Sequence, residues 1–107
     1  MIQPQTFVGL ESSQKINANF IINKVSEVTG IAYGDMQRKT RKRPIVEARQ
    51  LAMWYMSDRL NMRLNAIGNQ FNQHHATVIH GKRNIENLKN SCPIIKEFIA
   101  NLDKLIL

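Results

Sequence analysis

Cysteine is nearly missing from this chain. Cys92 is the single one among 107 residues, so no internal disulfide can form, and a reducing compartment is expected. No cysteine and histidine group has zinc-finger spacing. The histidines His74, His75 and His80 have no cysteine or acidic ligand nearby, and the adjacent pair is expected to point apart on a helix, so no metal or other cofactor is expected. Long apolar runs are also lacking. None approaches the roughly 20 residues that span a bilayer, and the start MIQPQTFVGLESSQ has neither the charged head nor the apolar core of a secretory leader. A cytoplasmic protein without membrane contact follows as the expectation. Glycine and proline are sparse, at 5 and 3, and with 43% hydrophobic residues the chain falls outside the disordered and fibrous classes. Acidic residues are the other shortage. Eight Asp and Glu stand against fifteen Lys and Arg, and a net charge of +7 on so small a body attracts polyanions, nucleic acid first among them.

What is present is one domain's worth of helical periodicity. Residues 1–12 carry Pro4 and Gly9 without a clear period and read as an N-terminal arm; residues 13–107 read as the folded domain. From Ser13, Ile16, Phe20, Ile21, Val25 and Val28 recur at helical spacing, with Ser12 or Ser13 as cap and Gly30 as a left-handed stop. A short helical turn between Ile31 and Met36 follows, with both of those residues facing inward. Next comes the basic run Arg38, Lys39, Arg41, Lys42, Arg43, closed by Pro44, whose fixed φ suits the first turn of a helix.

The helix after Pro44 carries Ala48, Leu51, Ala52, Tyr55 and Met56 as its inward stripe, leaving Arg49, Gln50, Met53 and Asp58 to outer faces, and Trp54 is read as a packing anchor. Leu64, Ile67, Gly68 and Phe71 line one side of a short helix, with Gly68 expected where another helix approaches closely. Asn72 and Gln73 make a turn. A helix opening at His74 or His75 then turns Val78, Ile79, Ile85 and Leu88 inward, which completes a helix-turn-helix. Ser91 is expected to cap a last helix with Pro93 in its first turn and an apolar stripe from Ile94 to Ile106 that closes the core. Its polar face balances Lys96 and Lys104 against Glu97 and Asp103, which argues against a membrane-surface helix and leaves open a homodimer seam or a partner helix.

The segment RKRPIVEARQLAMWYMSDRLNMRLNAIGNQFNQHHATVIHGKRNIENL resembles the carboxy-terminal DNA-binding domain of the bacterial replication initiator DnaA. Arg49 to Met53 match an Arg-Gln-x-Ala-Met string, Ile67 and Gly68 an Ile-Gly pair before Phe71, and His74 to His80 a signature close to Asp-His-(Thr/Ser)-Thr-Val-(Ile/Leu)-His. The likeness runs from about residue 17 to the end. It implies an all-α, Trp-repressor-like fold of about six helices that binds double-stranded DNA, with the basic loop in the minor groove and the signature helix in the major groove. On that resemblance Lys39, Lys42 and Arg43 belong to the loop, Arg41 reaches the minor groove, Arg49 and Gln50 hold the backbone, and His75 and Thr77 contact bases. His74 and Ala76 complete the start of the reading helix, while Lys82 and Arg83 would bind phosphate. A narrow A·T-rich groove attracts arginine, and a threonine methyl can pack on a thymine methyl, so the chemistry agrees. The chain departs from the family where His74 replaces an aspartate, Ala76 replaces a hydroxyl residue and the turn is one residue shorter.

Gly81 and Lys82 lack the upstream glycine and the following Ser or Thr of a phosphate-binding loop, so neither nucleotide binding nor ATP-driven melting is expected. The combined expectation is a non-enzymatic, nucleoid-associated DNA binder resembling a replication initiator without its ATPase. A transcriptional regulator of the same fold, or a helical protein-interaction module with a positive face, are the rival readings.

Overall fold

A computed structural model describes residues 17–106. Among them are six helices: α1 (Ala18–Thr29), α2 (Tyr33–Met36), α3 (Arg43–Leu60), α4 (Leu64–Gln70), α5 (His75–Leu88) and α6 (Pro93–Ile106). The arm at residues 1–12 and the expected caps Ser12 and Ser13 lie outside the described residues. Within them α1 is capped by Asn17, whose side chain accepts from the Phe20 amide at 2.9 Å. Gly30, at φ 77°, ends α1 in the expected left-handed conformation.

α3 is the axle of the domain. It packs against α1, α2, α4 and α5, and every residue from Ala48 to Met56 is buried. This corrects the expectation of an outer face: Arg49, Gln50 and Met53 are buried at 6%, 9% and 0% exposure. The cause is tertiary. A helix surrounded by its neighbours keeps no solvent side, and any polar group on it must find a protein partner. The Trp54 indole donates to Glu86 Oε2 on α5 at 2.7 Å. The Tyr55 hydroxyl donates to the Asp103 carboxylate on α6, which Arg59 also meets at 3.3 Å.

α6 lays Ile95 and Leu102 fully into the core, with Phe98, Ile99 and Ile106 packed beside them, while Ile94 and Leu105 stay 59% and 45% exposed. Ser91 does not cap α6 as expected; its hydroxyl donates back to the Asn87 carbonyl at 3.2 Å. Cys92, partly buried, directly precedes Pro93 and packs on the core. No helix among the described residues is long and apolar enough to cross a membrane.

Two glycines set the geometry of the helix-turn-helix. A Cβ on Gly68 would stand 2.3 Å from the Gln73 carbonyl oxygen and 3.5 Å from Val78 on α5, so the backbone of the turn approaches this glycine more closely than the helix that was expected there. The turn folds back on it, with the Phe71 and Gln73 amides donating to the Gly68 carbonyl at 3.0 and 2.9 Å and Asn72 at φ 57°. Gly81 is the point where α5 touches α3. A Cβ there would lie 3.1 Å from Gln50 Cγ and 3.2 Å from Met53 Sδ. That close crossing centres the inward stripe of α5 on Val78, Gly81 and Ile85. One expectation fails with it: Ile79 is 38% exposed instead of inward. His80 beside it is exposed as well.

Gly68→Ala is expected to cost about 2 kcal/mol or more, because a methyl cannot coexist with a carbonyl oxygen without moving the turn; a denaturant melt measures it. Burial first, and the Asp103 carboxylate second, push the Tyr55 hydroxyl up to about 12. Its folded value thus exceeds the unfolded value of about 10, so the stability it contributes is intact below pH 10 and is lost as pH rises from 10 towards 12. Unfolding followed across that window should be flatter in Tyr55→Phe than in the parent.

Candidate nucleic-acid interface

The basic run forms the loop between α2 and α3, and a buried arginine holds the start of that loop in place. Arg49 Nε donates to the Met36 carbonyl at 2.6 Å and Nη2 to the Arg38 carbonyl at 2.7 Å. Desolvation pushes the guanidinium down from its ordinary value. Arginine nonetheless remains a cation in proteins, and the two carbonyls offset part of what its burial costs. The loop tightens further through Thr40, whose amide donates to the Arg38 carbonyl at 3.1 Å and whose hydroxyl accepts from the Lys42 amide at 3.2 Å. α2 is secured in turn by Tyr33, which donates to the Gln70 carbonyl at 2.6 Å and sets its ring edge-on to Phe71.

The cations of the run do not share one fate. Arg38 meets Asp35 at 3.5 Å and Arg43 meets Glu47 at 3.0 Å. The Glu47 hydrogen bond and charge together hold the Arg43 guanidinium above its ordinary value. Lys39, Arg41 and Lys42 are exposed and have no carboxylate partner among the described residues. They are the free charge of the loop.

Opposite them stands the start of α5. His74 occupies its N-cap with extended backbone, φ −72° and ψ 153°, and its Nδ1 accepts weakly from the Ala76 amide at 3.4 Å. Because His74 is not yet helical, the two histidine rings do not point apart as expected. Their centroids lie 4.5 Å from each other at 34°. His75, Ala76 and Thr77 are all exposed in the first turn. Among the described residues no group of three or more His, Cys, Asp or Glu side chains is placed to hold a metal.

An open cleft of about 410 Å³ joins the two elements, lined by Lys39, Thr40 and Arg41 from the loop, Arg49 at its base, and Asn72, Gln73, His74 and Thr77 from the helix-turn-helix. The loop and the start of α5 therefore face the same side of the molecule. On the other flank Arg41 shares a second cleft of about 400 Å³ with Arg43, Gln50 and Asn84, so its side chain stands between two depressions. Gln50 itself is turned inward, with Oε1 accepting from Asn84 Nδ2 at 2.6 Å; it joins α3 to α5. Lys82 and Arg83 lie further along α5, Lys82 partly buried and Arg83 exposed. Thr40, Asn72 and Gln73 are cleft residues that sequence reasoning left out of the site. Their signal was slight, a hydroxyl inside a cation run and a polar turn.

The family model described as the bacterial DnaA protein helix-turn-helix matches residues 18–85, which takes in α1 to α4, the loop and α5 as far as Ile85. The chain belongs to that family. As a DnaA helix-turn-helix domain it is a DNA-binding fold. Relatives agree: it is 33% identical over 92 residues, 85% of its length, to the chromosomal replication initiator protein DnaA of Flavobacterium psychrophilum. With the same protein of Thermodesulfovibrio yellowstonii it shares 32% over 95 residues, 88% of its length. With DnaA 1 of Protochlamydia amoebophila it shares 32% over 73 residues, 68% of its length. The matched part is 19%, 22% and 16% of those three relatives, so the chain spans about a fifth of their length. Within the DnaA domain Gly81 and Lys82 lie inside helix α5, which gives them no loop to fold around a phosphate.

Replacing Arg49 with Lys leaves the Met36 and Arg38 carbonyls short of one donor, since an ammonium cannot span both with a planar fork. The expected cost is about 1–3 kcal/mol, together with faster amide exchange across residues 38–42; hydrogen exchange read by NMR checks it.

Proposed function

We propose that the chain binds double-stranded DNA across two neighbouring grooves, with the 39–42 loop in the minor groove and the start of α5 in the major groove. The observation that carries this reading is the shared cleft, whose walls are Lys39 and Arg41 on one side and His74 and Thr77 on the other. Arg41 is the minor-groove residue, flanked by two depressions and unpaired, and a narrow A·T-rich groove concentrates the negative potential that draws it in. Lys39 and Lys42 neutralise the flanking phosphates, and Arg43 joins them by trading its Glu47 partner. His75, Thr77 and the edge of Ala76 read bases, with His74 beside them, and Lys82 and Arg83 take phosphates.

Arg49 and Gln50 act from inside. The first fixes the loop and lines the cleft base, and the second locks α5 against α3. Binding by these residues involves no catalysis and no nucleotide. The relatives named as chromosomal replication initiators support origin DNA in the nucleoid of the cytoplasm as the target. Binding measured with and without ATP should be equal.

A titration of affinity against salt separates this mode from a protein-interaction module. About six phosphate contacts give a slope of log K on log salt near −5, and an affinity for duplex DNA that does not change with salt would refute the DNA reading. Arg41→Ala should weaken binding and relax the preference for A·T at the minor-groove positions; an equal loss on every sequence would reduce its role to charge neutralisation.

A further inference from the structure

α6 carries a second stripe besides the one that it sends into the core. Ile95 and Leu102 are fully buried, with Ile99 and Ile106 packed beside them. Ile94, Phe98, Asn101 and Leu105 follow at steps of four, three and four, so they fall within about 60° of one another, about a quarter turn from the core side. Ile94 and Leu105 are 59% and 45% exposed, and Phe98 and Asn101 are partly buried. Alternating steps of three and four along one line are the spacing of a helix-pair seam. Asn101 is its polar member, and a single polar residue in such a seam fixes register at a cost in stability. The two edges of the stripe differ. One edge is formed by the buried Ile95 and Leu102, the other by Glu97 and Lys104, which are exposed and have no ion-pair partner among the described residues.

We propose that this stripe of α6 docks a second copy of the chain, the two helices lying antiparallel about a two-fold axis. The edges decide the direction. A parallel pair would set the charged edge of one helix on the core edge of the other and bury Glu97 and Lys104 against apolar surface, whereas an antiparallel pair brings like edges together. With Ile94 against the partner's Leu105 and Phe98 against the partner's Asn101, Glu97 of each copy falls opposite Lys104 of the other. Opposite charges thus meet twice, and the patch is complementary to itself, as a two-fold interface requires. The seam spans only about 16 Å of helix, which places the dimer in the weak, transient class. α6 contributes no residue to the two clefts that flank Arg41, so pairing leaves that face open. Two copies then present their DNA faces in opposite senses, which suits inverted half-sites; this last step alone rests on the DNA-binding mode proposed above.

Sedimentation equilibrium of the full chain without DNA tests the pairing apart from any DNA binding. The mean mass of the parent should rise with concentration from 12.3 kDa towards twice that value. Glu97→Lys or Lys104→Glu alone turns both attractions into repulsions and should weaken the dimer about tenfold. The double exchange should restore it. A mixture of the two single variants should form heterodimers, since one then carries two lysines and the other two glutamates on the facing edges. Ile94→Ser, at an exposed position, should abolish association while circular dichroism shows unchanged helical content. A parent that stays monomeric at millimolar concentration would overturn the proposal and leave the stripe to another protein or to residues of its own chain. Single exchanges without effect, or a double exchange as weak as either single, would overturn it as well.

Discussion

A helix enclosed on every side has nowhere to hide a polar atom, and α3 between Ala48 and Met56 is such a helix. Each polar side chain on that stretch resolves the problem by bonding to a different neighbour. Arg49 holds the carbonyls that lead into the basic loop, Gln50 and Trp54 hold Asn84 and Glu86 on α5, and Tyr55 holds Asp103 on α6. The desolvation that would otherwise penalise these groups becomes the reason the surrounding elements sit where they do. The Glu86 carboxylate records one of these ties: the indole N–H, and then Lys89, keep it below the ordinary carboxylate range.

The binding face is a by-product of the same axle. The loop projects from one end of α3 and is pinned by Arg49. α5 crosses the same stretch of α3 at Gly81, pressed against Gln50 and Met53. Since both are held by neighbouring residues of one rigid helix, the distance between the loop and the start of α5 is fixed by packing. The free cations Lys39 and Arg41 then stand opposite the start of α5 across an open cleft.

Membership of the DnaA helix-turn-helix family leaves room for local change, and the start of α5 shows it. A histidine is a poorer cap than the aspartate that the family pattern carries; its 3.4 Å contact to the Ala76 amide is longer than the 2.9 Å contact that Asn17 makes in capping α1. In exchange the ring of His74, which lines the cleft, lies 4.5 Å from that of His75. The acceptor of the family's aspartate is replaced there by a ring that can donate or stack.

The amino-acid order alone carried the helical class, the position of the basic loop, the helix-turn-helix and most of the core, because periodicity and capping are local and Leu51, Tyr55, Ile67, Phe71 and Ile85 recur at helical spacing. The same local pattern mistook Arg49, Gln50 and Met53 for surface and Ile79 for core, and read Gly68 as a seat for a helix. Those assignments depend on what lies across the gap. Only the assembled neighbours determined that α3 has no outer face, that Gly81 turns α5 by a fraction of a turn and brings Ile79 into solvent, and that the carbonyl folding back on Gly68 belongs to its own turn. Burial is a property of pairs of elements, and a periodicity belongs to one.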